Sequence, residues 1–128
     1  NIIDRLGLQR QIQHHSMGHH FQTREQAGPD AVHFESWLSQ ALDQCARTDL
    51  VLYQAGADPH IDDPLGGVLT GGEMMGRDNT VFRRLIDTPL GWNLAGGYQR
   101  DETGSIEPVL KLHRMTVIAW MCACANSR

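Results

Sequence analysis

Apolar and polar positions along this chain fall into blocks of different period. From about Pro29, the residues Phe34, Trp37, Leu38, Ala41, Leu42 and Cys45 recur at helical spacing, which predicts a helix to about Ala46 with one buried stripe. Pro29 suits its first turn, and Asp30 complements the positive end of the dipole. Leu50 to Ala55 is a nearly unbroken apolar run, the pattern of a strand buried on both faces. Met75, Phe82, Leu85 and Ile86 predict a second helix over Glu73 to Ile86. Gly91 to Ala95 reads as a short second strand. Ile106, Val109, Leu110, Val117 and Trp120 predict a last helix from about Ile106 to Ala123, with Pro108 in its first turn. Ahead of these, Ile2 to Leu8 suits a short helix, and Ile12 to Asp30 is polar without a clean period.

The order helix, strand, helix, strand, helix places the chain in the α/β class. Two strands joined by one crossover helix are expected to run parallel, with a right-handed crossover. Their carboxyl ends then share a rim, the edge at which open α/β sheets hold ligands. Asp58 to Asp63 follows one strand and Gly96-Gly97-Tyr98 follows the other, so both loops are expected on that rim.

A length of 128 residues is that of one domain, divided here into an irregular connection (1–28) and an α/β core (29–125). The net charge is -4 and the 11 basic residues are scattered, so no basic stripe points to nucleic acid. No apolar run suits a membrane span, and no leader pattern is present. Cys45, Cys122 and Cys124 form no CxxC pair, which fits reduced thiols in a cytoplasm. The chain starts at Asn1 without a Met, and an upstream segment is expected.

Asp58, His60, Asp62 and Asp63 form the first candidate site. Carboxylates clustered at a strand end suit a divalent cation, and Asp and His are competent zinc ligands. On spacing alone, Asp62-Asp63-Pro64 reads first as a turn whose Asp side chains cap backbone N–H groups. Gly96-Gly97 is equally a tight turn or a close approach of substrate to backbone, and the Tyr98 phenol either packs or donates to a polarised carbonyl. His14, His15, His19 and His20 lie in the polar stretch, where solvated imidazoles are the simplest account and a metal site shared with His60 is the alternative. Met74, Met75, Trp120 and Met121 read as core or its edge, and Cys122 and Cys124 as inert thiols.

"LVLYQAGADPHIDDPLGG" together with "WNLAGGYQ" resembles the zinc-dependent deacetylase superfamily, which includes histone deacetylases and acetylpolyamine amidohydrolases. The resemblance covers Asp30 to about Arg114. It implies the carboxyl-terminal part of an arginase–deacetylase-like three-layer fold, with parallel strands and crossover helices. It also implies that Asp63 ligates zinc, that the Tyr98 hydroxyl donates to the scissile carbonyl, and that Gly96 and Gly97 line the channel for acetyl-lysine or an acetylpolyamine. Asp58 is expected to shape its loop through backbone hydrogen bonds, and Asp62 receives no role.

The family's other two zinc ligands come from an upstream Asp-x-His motif, and none precedes Asp63. The only Asp-x-His here, Asp58-Pro59-His60, lies in the same loop. The His-His acid/base pair of the family is not transferred to His14-His15, which sit too close to Asp63. The isolated chain is therefore expected to be inactive, with a missing amino-terminal half or a homo-oligomer completing the sheet. The alternative is a non-enzymatic α/β module that self-associates or binds a partner.

Overall fold

The computed structural model describes residues 2–126. Helices α1 (Ile2–Arg5), α2 (Arg24–Ala27), α3 (Val32–Cys45), α4 (Gly71–Arg84) and α5 (Glu107–Asn126) accompany strands β1 (Val51–Gly56) and β2 (Leu90–Ala95). The strands are parallel, in the register Val51↔Leu90 through Gly56↔Ala95, and α4 forms the crossover between them. The architecture is mixed helix and strand, of coarse α/β class. No described helix is long and apolar enough to cross a membrane.

Helix boundaries shift where local chemistry overrides periodicity. Pro29 opens a 3-10 turn rather than α3, because Asp30 (φ 49) and Ala31 (φ 56) adopt left-handed backbone and the α-helix starts only at Val32. Helix α4 begins two residues ahead of the expected Glu73. Its cap is Thr70, whose backbone N–H donates to Glu73 Oε2 at 2.8 Å while its side chain accepts from the Glu73 N–H.

The core extends upstream of Pro29. Phe21, Ala27 and Ala31 are buried with Phe34, Leu38 and Leu42 of α3 and Met74 and Val81 of α4. The Phe21 ring lies edge-on to Phe34 and to Trp37, each at 5.8 Å. A second cluster joins β2 to the crossover, with Phe82 of α4 against Tyr53, Trp92 and Trp120.

The strand pattern was expected to mean burial on both faces, and only one face is covered. Tyr53 packs against Phe82 and Ala55 is buried, whereas Leu52 is 79% exposed and Leu50, Gln54 and Asn93 also face solvent. Parallel sheets are ordinarily covered on both sides. A compact monomer of 14.3 kDa exposes about 6,800 Å². This chain exposes 8291 Å², so the open sheet belongs to a molecule carrying roughly 1,500 Å² of surplus surface.

Glu73 also fastens the amino-terminal segment. Both Arg24 guanidinium ends donate to its carboxylate at 2.7 Å, and Arg24 Nη1 donates to the Val68 carbonyl at 2.9 Å. The Arg24 hydrogen bonds, with help from the Thr70 N–H, hold the Glu73 carboxyl well below the usual carboxylate range, down to about 2. A carboxyl with a depressed folded pKa contributes its full stability above the unfolded pKa and loses it as pH falls toward the folded one. The urea midpoint of the wild type is therefore expected to drop between about pH 4.5 and pH 2. The Glu73→Gln variant should be less stable at pH 7, with a shallower acid slope. Equal slopes in parallel urea titrations would contradict this assignment.

Candidate functional site

The paired strand ends Gly56 and Ala95 release two loops side by side, and the Ala57 N–H donates to the Ala95 carbonyl at 2.8 Å to extend the pairing. The first loop folds back on itself. The Val68 and Leu69 N–H groups both donate to the Pro59 carbonyl at 2.9 Å, and the Ile61 N–H donates to the Leu69 carbonyl at 2.7 Å. Gly67 permits this return, since a Cβ there would lie 2.1 Å from the His60 carbonyl oxygen.

Asp63 sits at the junction, 4% exposed. Its Oδ1 accepts from the Leu65 N–H at 3.0 Å, closing an Asx turn over Pro64. Its Oδ2 accepts from the Tyr98 backbone N–H at 2.7 Å. The turn reading of the sequence and the shared-rim reading are thus met by one carboxylate, which joins the two loops across 35 residues of chain. No ion pair reaches Asp63 among the described residues.

Gly96 (φ +59) and Gly97 (φ +93) adopt left-handed backbone to turn the chain toward Tyr98. Both positions are crowded from within the chain. A Cβ on Gly96 would lie 2.0 Å from Asp58 Oδ1, and one on Gly97 would lie 2.6 Å from Val109 Cγ1 and 2.9 Å from Ala57 Cβ. Asp58 therefore shapes the rim by packing its carboxylate on the Gly96 backbone, while the backbone hydrogen bonds expected of it are made by Asp63. The Tyr98 ring stands in solvent, 56% exposed.

His60 is half-buried, and its Nδ1 accepts from the Asp62 N–H at 3.2 Å. The amino-terminal histidines go elsewhere. His20 lies 5.3 Å from the Trp37 ring, and the rings of His14 and His19 are 6.1 Å apart. Among the described residues no three His, Cys, Asp or Glu side chains converge as a metal-binding group. Met74 is core and Trp120 half-buried as expected, whereas Met75 and Met121 face solvent.

Beneath the rim lies a polar network that sequence reasoning missed. Asp78 Oδ1 accepts from Tyr53 Oη at 2.5 Å and from Arg77 Nε at 2.8 Å, and its Oδ2 accepts from Thr116 Oγ1 at 2.6 Å. Arg77 Nη1 donates to the carbonyl of Gly56, the last residue of β1, at 3.0 Å. Arg77 Nη2 is buried without a hydrogen-bond partner. Burial pushes the Tyr53 phenol well above its usual range, so it stays protonated as a donor to Asp78. One buried pair thus ties β1, α4 and α5 together directly below the two loops. The available signal was the position of Asp78, on the same stripe of α4 as Met74, Val81 and Phe82.

Neither of two surface hollows lies on this rim. One of about 240 Å³ lies between α3 and α4 beside Glu35 and Thr80, and one of about 440 Å³ lies beside Trp120 and Cys124 of α5. No protein-family model matches the chain, and no curated protein matches it.

Proposed function

We propose that this chain carries the carboxyl-terminal part of a zinc-dependent amide hydrolase of the deacetylase type, acting on an acetylated amine such as acetyl-lysine or an acetylpolyamine. One contact carries the reading: the Asp63 carboxylate holds the Tyr98 N–H at 2.7 Å, at the common carboxyl rim of two parallel strands. A buried carboxylate is costly unless its charge is compensated. The Leu65 and Tyr98 N–H groups offset part of that cost, and a divalent cation on the remaining lone pairs would offset more. Zinc, when bound, polarises a carbonyl and activates water. Tyr98, anchored through its backbone with its ring free, is suited to donate to the substrate carbonyl, beside Gly96 and Gly97.

The donors of this chain do not suffice for that site. Catalytic zinc takes three protein ligands, and Asp63 is one. The other ligands and the general base come from a complementary polypeptide segment, which also covers Leu50, Leu52 and the free strand edges. The chain alone is accordingly inactive. The surplus surface also favours a second reading, a non-enzymatic module that covers its sheet by self-association.

The test is to read and express the gene from its start codon. An Asp-x-Asp-x-His stretch ahead of Asn1, with chelator-sensitive release of acetate from an acetyl-lysine peptide or an N-acetylated polyamine, is the expected result. A gene product without that stretch, or without zinc-dependent hydrolysis, would overturn the enzymatic reading and leave the module.

A further inference from the structure

The hollow of about 240 Å³ between α3 and α4 takes no part in the rim chemistry. At about 30 Å³ per water it has room for about eight water-sized groups. Ala31, Phe34 and Leu38, all members of the buried core, form its apolar wall. Ala31 (φ 56) holds left-handed backbone there, a strained conformation for a residue with a Cβ. On the α4 side Gly76 keeps the hollow open, since a Cβ at that position would meet nothing within 4 Å.

The charged groups around the hollow are not equally satisfied. Glu73 is fully engaged, with Arg24 and the Thr70 N–H on its two oxygens. Glu35 is exposed and makes no ion pair among the described residues. Arg77 is 7% exposed, and its Nε and Nη1 donate to Asp78 and to the Gly56 carbonyl. Its Nη2 has no acceptor among the described residues, and a buried donor left unpaired is costly.

We infer that this hollow is a binding site for a small zwitterion, a short aliphatic chain with a primary ammonium at one end and a carboxylate at the other. The ligand carboxylate supplies the acceptor that Arg77 Nη2 lacks, the methylenes lie on Phe34 and Leu38, and the ammonium faces Glu35. Charge selects both ends. Asp78 already compensates Arg77 and Arg24 compensates Glu73, so Glu35 is the carboxylate left to attract a cation. At the other end, an ionised oxygen makes a stronger bond to a guanidinium N–H than a neutral carbonyl does. An apolar wall with a few convergent polar groups is the usual composition of a small-molecule site. The inference does not depend on the hydrolase reading, since it uses no rim residue.

The experiment titrates 5-aminopentanoate, a probe sized to the hollow, into the isotope-labelled chain and follows the amide shifts of Gly76 and Thr80. The expected result is saturable binding with a dissociation constant of about 1 mM or tighter. Pentanoate and pentylamine each lack one end and should bind about 10-fold more weakly or worse, as should 5-aminopentanoate to Glu35→Gln. Gly76→Leu fills the hollow from a helical position and should abolish binding, and leucine is a good helix former. Far-UV circular dichroism verifies the fold of each variant. No saturable shift at concentrations about 10-fold above that constant overturns the inference. Equal binding by either one-ended analogue, or by Glu35→Gln, overturns the zwitterion. Binding that survives Gly76→Leu places the ligand elsewhere and overturns the site. Should Gly76→Leu fail to fold, the exposed Glu35 variant and the two analogues decide.

Discussion

Asp78→Ala is expected to destabilise the chain by about 3–5 kcal/mol, because it removes one partner of a buried ion pair and leaves the other uncompensated. Arg77 would keep only the Gly56 carbonyl, with its Nε newly unpaired and its Nη2 already so. Tyr53 Oη and Thr116 Oγ1 would lose their acceptor in the same step. Domains are stable by only about 5–15 kcal/mol, so the loss takes a large share of the total. Asp78→Asn keeps an acceptor without the charge and should fall between. Arg77→Met with Asp78→Leu together should cost less than Asp78→Ala alone, because apolar replacement of both partners leaves no orphaned charge. Urea denaturation at neutral pH checks this series. A loss below about 1 kcal/mol for Asp78→Ala would mean that the network does not hold β1, α4 and α5 together.

Asp63→Ala is expected to act locally, with a smaller effect on global stability. Hydrogen bonds to a charged acceptor contribute about 1.5–3 kcal/mol, and the substitution leaves the Leu65 and Tyr98 N–H groups without their acceptor. The hydrophobic clusters around Phe34 and Phe82 are untouched. The double-glycine corner should therefore open while the strands stay paired, with amide exchange at Tyr98 accelerated about 10- to 100-fold and that of Ala55 unchanged. If Ala55 accelerates equally, Asp63 is a general stabiliser rather than a link between the loops.

Much of this fold was legible in the chain because its long elements carry strong periods. Helices α3, α4 and α5 and both strands lie within a few residues of where apolar spacing put them, and the parallel pairing follows from a single crossover helix. Boundaries moved where one residue's chemistry outweighs periodicity, as with the Thr70 cap and the left-handed Asp30 and Ala31. Phe21 was missed as core because the segment around it has no period of its own. It is held by edge-on rings on a helix that follows in the chain.

The open face of β1 shows a different limit. An unbroken apolar run reports what a strand is fit to bury, and Leu52 remains in solvent, covered by none of the described residues. For the rim, the motifs identified the residues but could not assign their contacts. Asp63, read from spacing as either a turn or a ligand, makes the turn with one oxygen and reaches Tyr98 with the other. The Asp78 network escaped notice because a charged pair inside an amphipathic helix looks like solvated surface until its stripe is traced.

The functional account rests on Asp63 binding the two loops into one rim, and hydrogen exchange at the Tyr98 amide in the wild-type chain tests this most directly. The account predicts slow, opening-limited exchange that Asp63→Ala accelerates about 10- to 100-fold. Exchange of the wild-type Tyr98 amide at the rate of an unstructured peptide would contradict it.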